Sequence, residues 1–159
     1  METPRWLSDE EQAAWRSWLE VMRVLPAALE EGLNQRDHLN LTDYQVLVEL
    51  SETVEGRLRM AELATRTNLS KSRLSHQIRR MEAAGLIARV DCLDDRRGSF
   101  AQITKDGLAA IRAAAPGHVD DVRRYFFDQL TPEQTAVLGD VMAAIAKGLR
   151  DRGETTPAA

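Results

Sequence analysis

Residues 59–104 pass from a helical to a strand pattern, and this change constrains the fold more than any other feature of the chain. Between residues 70 and 85, Leu74, Ile78 and Met81 recur at three- and four-residue spacing, which is typical of an amphipathic helix. A shorter helical pattern over residues 59–67 precedes it, and the turn sequence TNLS joins the two. Two period-two runs follow, at residues 86–92 and 99–104, with the turn sequence LDDRRG between them. Two helices, a tight turn and a β-hairpin predict a winged helix-turn-helix.

Local conformations within this segment are predicted as well. Asn68 tolerates the left-handed conformation that a tight turn can require, and Ser70 is the expected cap of the longer helix. In the second strand, Ala101 and Ile103 are expected to face inward. In the first strand, alternation places Arg89 and Asp91 outward. The side chains expected to face inward are Leu86, Ala88, Val90 and Cys92.

The distribution of charge favours a polyanionic partner. The chain has 25 Asp and Glu against 21 Lys and Arg, for a formal net charge of −4. Residues 57–97 reverse this balance, with ten Lys and Arg against five Asp and Glu. A basic centre in an acidic frame indicates binding to nucleic acid, and a merely solvated charged surface is the alternative.

The outward face of the predicted helix over residues 70–85 carries no carboxylate. With Leu74 at 0° on a helical wheel, Ile78 and Met81 fall within about 40° of it, and the polar and basic side chains point away. A solvated helix usually mixes both signs of charge. We therefore predict a recognition helix, whose DNA-binding residues are Lys71, Ser72, Arg73, Ser75, His76, Arg79 and Arg80.

The turn between the two predicted strands has the composition of a DNA-binding wing. Arg96 and Arg97 lie at its tip, and the narrow minor groove attracts inserted arginines. Asp95, two residues before Arg97, is expected to orient its guanidinium group. An ordinary polar hairpin turn is the alternative reading. These three residues complete the predicted DNA-binding set.

Capping signals predict helices on both sides of this unit. Three capping boxes are expected, at Ser8–Glu11, Thr42–Gln45 and Thr131–Gln134. Thr104 is expected to start a further helix. Pro26 and Pro116 lack a backbone N–H and should kink or divide the helices that contain them.

The motifs in residues 62–107 resemble those of the MarR family of transcriptional regulators. A Ser-rich recognition helix is followed by the family's other motif positions, which here are Met81-Glu82, Gly85-Leu86, Asp95 and Arg97, Ile103-Thr104 and Gly107. Met81 and Ile103 replace the usual leucines. The resemblance implies a triangular homodimer with interlaced terminal helices, recognition helices in successive major grooves and wings in the flanking minor grooves. It also implies a repressor, often released by a small phenolic ligand or an oxidant.

The expected fold is therefore mainly α with a small β-hairpin wing (α+β), a winged helix-turn-helix flanked by dimerisation helices. Apolar stripes over residues 8–36 and 118–150 exceed what the winged helix alone can cover, which also indicates a homodimer on a pseudo-palindromic operator. The predicted divisions are an N-terminal dimerisation helix (1–40), the DNA-binding region (41–105), C-terminal dimerisation helices (106–150) and a tail (151–159).

The regulatory input is less clearly marked in the sequence. Cys92 is expected to be an inert buried thiol, because strand alternation turns it inward. Aromatic side chains at Trp15, Trp18, His38 and Tyr44 could line a ligand cleft, although a Trp stripe at helical spacing is more often packing. One cysteine and three widely spaced histidines predict no metal site, and no cofactor is expected.

Other classes of protein fit the sequence less well. The chain has no Walker loop, G-x-G-x-x-G, H-E-x-x-H or nucleophile elbow, so an enzyme is not expected. A winged helix that binds only protein is the main alternative, but its recognition face would carry aromatic anchors. No apolar run approaches the ~20 residues of a membrane span and no signal peptide is evident, so a cytoplasmic protein is expected.

Overall fold

Six α-helices and a three-stranded antiparallel sheet make up most of the chain in the computed structural model, which describes residues 3–91 and 99–153. The helices are α1 (Asp9–Asp37), α2 (Leu41–Ser51), α3 (Met60–Arg66), α4 (Lys71–Ala83), α5 (Lys105–Tyr125) and α6 (Pro132–Asp151). The strands are β1 (Arg57–Arg59), β2 (Ile87–Asp91) and β3 (Ser99–Ile103), and a 3₁₀ turn spans Phe127–Gln129. This is the predicted winged helix-turn-helix architecture, with one strand more than the sequence indicated.

The sheet has the order β1-β3-β2, and its register corrects the predicted inward face of β2. Ile87 lies directly opposite Ile103, and Arg89 lies opposite Ala101. Residues directly opposite each other share a face, so Ile87 shares the core face of Ala101 and Ile103. The prediction that Leu86, Ala88 and Val90 form the inward face is wrong, since these three are only partly buried. Cys92, placed by the same alternation, lies outside the described residues.

Helix starts follow the predicted caps at most positions. Ser8, Ser70, Thr104 and Thr131 each accept a hydrogen bond from a backbone N–H of the first turn that follows. At α2 the prediction is wrong, because Asn40 is the cap instead of Thr42. Asn40 Oδ1 accepts from the Asp43 N–H at 2.7 Å, and Asp43 Oδ2 accepts from the Asn40 N–H at 3.3 Å. Asparagine is a stronger cap than threonine, so the helix begins earlier.

Neither internal proline divides its helix. Pro26 lies within the 29-residue α1, and Pro116 lies within the 21-residue α5. A proline removes one intrahelical hydrogen bond, and in a long helix the bonds on both sides are retained. Of the two expected outcomes, a kink or a division of the helix, division is therefore wrong at both prolines.

Two matching C-terminal motifs set the directions in which α3 and α4 end. After α3, Asn68 has φ 54°, and the Leu69 N–H donates to the Ala64 carbonyl at 3.0 Å. After α4, Gly85 has φ 75°, and the Leu86 N–H donates to the Met81 carbonyl at 3.0 Å. This is the Schellman arrangement, in which a left-handed residue is followed by an apolar one. It explains why an Asn-Leu and a Gly-Leu pair occupy these two turns.

One apolar core joins the DNA-binding lobe to α1 and α5. Its most deeply buried side chains come from the C-terminal part of α1, from α2, α3, α4, β2, β3 and α5: Leu33, Val46, Leu47, Leu50, Leu63, Leu74, Ile78, Met81, Ile87, Ala101 and Ala114. By contrast, α6 has no buried residue. The core therefore fixes α4 and the sheet to α5, while α6 extends away from it.

Candidate nucleic-acid interface

The helix α4 presents the face that the helical wheel predicts. Leu74, Ile78 and Met81 are each 1% exposed or less and anchor the inner face. The outer side chains are solvent-exposed except Ser75, which is half-buried; the exposed ones are Lys71, Ser72, Arg73, His76, Arg79 and Arg80. All seven predicted residues of this helix are therefore at least partly accessible to solvent. That they contact DNA stays a prediction.

Most of the cationic side chains on this face are available for a ligand. In the described part of the chain, the side chains of Lys71, Arg73, His76 and Arg79 take part in no hydrogen bond or ion pair. The first turn of α4 contains no acidic residue, and its N-terminus adds the partial positive charge of the helix dipole. The surface can therefore accept anionic groups such as phosphates without first breaking internal ion pairs.

Arg80 differs from these residues because a carboxylate from another helix reaches it. Its NH2 group donates to Asp43 Oδ1 at 2.6 Å, and the Gln77 amide donates to the same oxygen. Asp43 belongs to the first turn of α2 and is only 3% exposed. The charge pattern of α4 alone does not indicate Asp43 as part of this site, because Asp43 lies 37 residues before Arg80 in the chain.

The base of the wing is attached to α4 through Arg89. Its NH2 group donates to Ser75 Oγ at 2.9 Å and to the Ser75 carbonyl at 3.3 Å, and its backbone N–H donates to Glu82 Oε1 at 3.1 Å. The hydroxyl and carbonyl oxygens of Ser75 are therefore already engaged by Arg89 of the wing. The wing tip, with the predicted Asp95, Arg96 and Arg97, lies outside the described residues, so those positions stay predictions.

The start of α5 is fixed to the same wing by Thr104. Its hydroxyl donates to the Gly85 carbonyl at 2.7 Å and accepts from the Gly107 N–H at 3.0 Å, while its N–H donates to the Leu86 carbonyl at 3.1 Å. Gly107 is required here because an added Cβ would collide with the Leu86 carbonyl oxygen, at a separation well below the 3.0 Å that Cβ contacts normally keep. These contacts give a physical reason for the Gly-Leu and Thr-x-x-Gly motifs.

Two further arginines lie on the sheet and were not predicted as a group. Arg57 and Arg59 of β1 place their guanidinium carbons 5.1 and 5.2 Å from the centre of the Phe100 ring. Both distances are within the range of cation–π attraction. Arg57 also forms an ion pair with Glu55 at 2.6 Å. The three-residue β1 is too short for a recognisable period-two pattern, which is why this cluster was missed.

The four residues predicted to line a ligand cleft are not brought together within one protomer. Trp15 and Trp18 are exposed on the N-terminal half of α1, whereas His38 ends that helix. At 1.5 Å per residue, Trp18 and His38 are separated by about 30 Å. Tyr44 is buried, with its ring centre 4.2 Å from that of His118 in α5. A cleft containing all four residues is therefore not formed by a single chain.

The contact between α1, α2 and α5 contains several titratable groups. Burial lowers the pKa of His118; Asp121 opposes this shift, and Arg36 adds to it. Burial also raises the pKa of Tyr44, and the negative charge of Asp37 contributes. Among the described residues, His118 Nδ1 has no hydrogen-bond partner. The folded protein therefore favours a neutral imidazole at this position.

An ion pair between α1 and α5 lies beside this contact. Arg36 NH2 donates to the buried Asp121 Oδ2 at 2.6 Å. Gly32 and Gly117 leave the space for it, because a Cβ at Gly32 would collide with Asp121 Oδ2 and a Cβ at Gly117 would lie 2.7 Å from Arg36 Nε. The two glycines thus allow the helices to enclose a charged pair.

An apolar surface separates the N-terminal half of α1 from α6. Trp18, Val21, Phe126, Leu138 and Met142 help to line an open groove of about 710 Å³. On α6, a stripe of large apolar side chains is 45–61% exposed: Val137, Val141, Ile145 and Leu149. Exposed apolar patches of this extent mark sites of protein association.

The part of the chain that the structure describes contains neither a metal-binding cluster nor a membrane-spanning helix. No group of three His, Cys, Asp or Glu side chains there could hold a metal ion. Within the same residues, no helix is long and apolar enough to cross a membrane.

A basic outward helix following a tight turn, with a small sheet beside it, defines a winged helix-turn-helix regulator. Comparison with known proteins specifies the family. Residues 39–98 match the MarR family. The chain is 51% identical to AbsC, a MarR family transcriptional regulator from Streptomyces coelicolor, over 93% of this chain and 99% of AbsC, with a TM-score of 0.86. The chain belongs to the MarR family and is a transcriptional regulator, not an enzyme, as predicted.

Two further relatives bear on the site. The structure of Sco3205, a MarR family transcriptional regulator from Streptomyces coelicolor, in complex with DNA has 44% identity and a TM-score of 0.87, covering 94% of this chain and 93% of Sco3205. The HTH-type transcriptional repressor YetL of Bacillus subtilis is 24% identical over 106 residues, which are 65% of this chain and 64% of YetL. Both are transcriptional regulators, like AbsC.

Proposed function

We propose that this protein is a homodimeric repressor that binds a pseudo-palindromic operator in double-stranded DNA through α4. The observation that carries the proposal is the outer face of α4, where Lys71, Arg73, His76 and Arg79 are exposed without internal partners. Structural similarity to Sco3205, which was crystallised with DNA, supports DNA binding by this chain. The name of YetL supports repression. Because its partner is chromosomal DNA, the protein would act in the cytoplasm.

The two reading elements have different tasks in this proposal. Arg73 and His76 lie toward the N-terminal end of α4, where side chains reach base edges in the major groove. Arg96 and Arg97 of the wing are proposed to enter the flanking minor groove, with Asp95 orienting Arg97. Base specificity would then come from α4, and a preference for A·T-rich flanks would come from the wing.

Dimerisation is proposed to occur through the exposed apolar faces of α1 and α6. Trp15, Trp18, Val141 and Ile145 are 38–53% exposed in the isolated protomer, far more than apolar side chains of the core. A second copy of the chain would cover both faces at once. A two-fold dimer would place the two α4 helices on half-sites about 10 bp apart, one turn of DNA.

Release from DNA by a small aromatic ligand is the third part of the proposal. Trp18, Tyr125 and Phe126 line the groove beside α1 and offer aromatic faces to such a ligand. Titration with salicylate should quench tryptophan fluorescence and release the operator in parallel. Unchanged operator binding at millimolar salicylate would contradict this part alone.

DNA binding is tested by selecting bound fragments from the genome and titrating salt against the best operator. If the dimer neutralises roughly eight phosphates, the logarithm of the binding constant should fall with the logarithm of salt concentration with a slope of about −7. A slope near zero would refute phosphate-driven binding. Arg73→Ala should cost about 1–3 kcal/mol and relax base preference at one position per half-site. Arg152→Ala, beyond α6, removes the same charge and should change neither.

The wing is tested with the same operator library. Arg97→Ala should weaken binding on many sequences, and Asp95→Ala should reproduce part of that loss. If Arg97→Ala alters one central base preference while Arg73→Ala alters none, the assignment of helix to major groove and wing to minor groove is wrong.

Dimerisation is tested by sedimentation of a matched pair of variants. Val141→Asp places a charge on the α6 stripe and should shift the protein toward monomer and weaken operator binding. Val54→Asp makes the same change in the turn before β1, where Val54 is fully exposed, and should leave both properties unchanged. A wild-type monomer at micromolar concentration would refute the dimer.

A further inference from the structure

Asp43 combines burial, charge and contacts to two helices. Its carboxylate accepts three hydrogen bonds: from the Asn40 N–H at 3.3 Å, from the Gln77 amide, and from Arg80 NH2 at 2.6 Å. The first belongs to the cap of α2, and the other two come from α4. A buried carboxylate is costly unless it is paired and hydrogen-bonded, and here both conditions are met.

The guanidinium group of Arg80 is only partly used by this contact. The side chain is 49% exposed, and the described structure assigns it one bond, from a single terminal nitrogen. A guanidinium group has five N–H donors in a fixed planar fork, so one edge can hold a carboxylate while the others remain available. Arg80 follows Arg73 by seven residues, two helical turns, so both lie on the same stripe of the outer face.

We propose that Asp43 is a positioning residue for DNA binding, which holds the guanidinium group of Arg80 so that its remaining N–H groups meet a backbone phosphate. This inference rests on the proposed function. A flexible arginine on a solvated helix loses side-chain entropy when it binds, whereas one already held by a carboxylate has lost most of it beforehand. The same contact fixes α2 against α4, so the phosphate would be read from a rigid pair of helices.

The sign of the effect of Asp43→Asn distinguishes positioning from simple charge. Removing a negative charge close to DNA should by itself tighten binding. If Asp43 positions Arg80, Asp43→Asn should instead weaken operator binding, and the salt slope should decrease in magnitude by about two phosphate contacts, one from each protomer of the dimer. The loss of affinity should then shrink about 12-fold as salt rises from 50 to 200 mM, because two contacts contribute a slope of about 1.8. Unchanged or tighter binding with the wild-type slope would overturn the proposal.

Arg80→Lys provides a second arm that does not depend on the folding of the Asp43 variant. Lysine keeps the charge, but it is a point charge that lacks the planar fork. Positioning predicts a loss of affinity for Arg80→Lys, whereas wild-type affinity would show that Arg80 acts as a simple charge and would overturn the proposal. If Asp43→Asn does not fold, this arm decides.

The double variant and the wild type complete the experiment. Asp43→Asn should cost little further affinity in the Arg80→Ala background, because the two residues act through one contact, and additive losses would refute this coupling. Loss of operator binding by the wild type itself would reject the proposed function and the inference with it. Normal wild-type binding together with unaffected variants rejects only the inference.

Discussion

Gly107→Ala should destabilise the protein although alanine is the better helix former. In an open helix position this exchange stabilises by up to about 1 kcal/mol. At Gly107 the new Cβ would lie 2.9 Å from Ile103 Cγ1 and much closer to the Leu86 carbonyl oxygen than any normal contact. The start of α5 must therefore move at least 0.5 Å from Ile103, and further from Leu86, to reach ordinary contact at 3.4 Å.

That movement has a definite energetic cost. Overpacking of this kind costs about 1–3 kcal/mol. The Thr104 N–H bond to the Leu86 carbonyl, 3.1 Å, would also be stretched, and such a bond is worth about 1 kcal/mol. After the gain in helix propensity, we expect a net loss of about 2 kcal/mol in the free energy of unfolding.

Urea unfolding at one fixed protein concentration measures this loss. Ala109→Gly, two residues further along α5 at an exposed position, is the control for helix propensity and should cost up to about 1 kcal/mol. The reasoning is refuted if Gly107→Ala raises the urea midpoint, because the space beside Leu86 would then not be closed.

Three further predictions concern residues outside the DNA-binding face. Arg36→Ala should lower the free energy of unfolding in urea by about 2 kcal/mol, because it leaves the buried Asp121 unpaired. Asp121→Ala should cost less, because the remaining Arg36 side chain is 42% exposed and can be hydrated. Equal losses for the two variants would contradict this. Below about pH 6.5 the wild type should lose stability relative to His118→Gln, because burial lowers the folded-state pKa of His118 and the unfolded chain then binds more protons. If the unfolding free energies of the two proteins fall in parallel with pH, this prediction is contradicted. Asn68→Ala should lower the thermal midpoint, at a cost of about 1 kcal/mol, while Asn68→Gly should not, because Asn68 is left-handed.

The features that the sequence predicted correctly depend on residues close to each other in the chain. The inward face of α4, with Leu74, Ile78 and Met81, follows from helical spacing alone. Caps such as Thr104 and Thr131 depend on contacts three residues away. These interactions are decided locally, so the sequence contains the information needed to predict them.

The errors occur where the decision is made by distant residues. The run from Leu86 to Val90 has apolar residues at both odd and even positions, so pairing with Ile103 determines which face is buried. The contact between Asp43 and Arg80 joins two helices, and no local pattern indicates it. The cap of α2 is an exception, because Asn40 and Thr42 lie two residues apart, both can cap a helix, and the choice between them is local.

The difference in burial between α4 and α6 has a consequence for local opening of the chain. Because Asp43 joins α2 to α4 across the core, these two helices should open together. The free energy of opening that amide hydrogen exchange measures in both helices should be close to the free energy of global unfolding. In α6 no residue is buried within the protomer, so its amides have little tertiary protection of their own. Exchange in α6 should therefore slow as protein concentration rises and a second copy covers the helix, whereas exchange in α4 should be nearly the same in monomer and dimer.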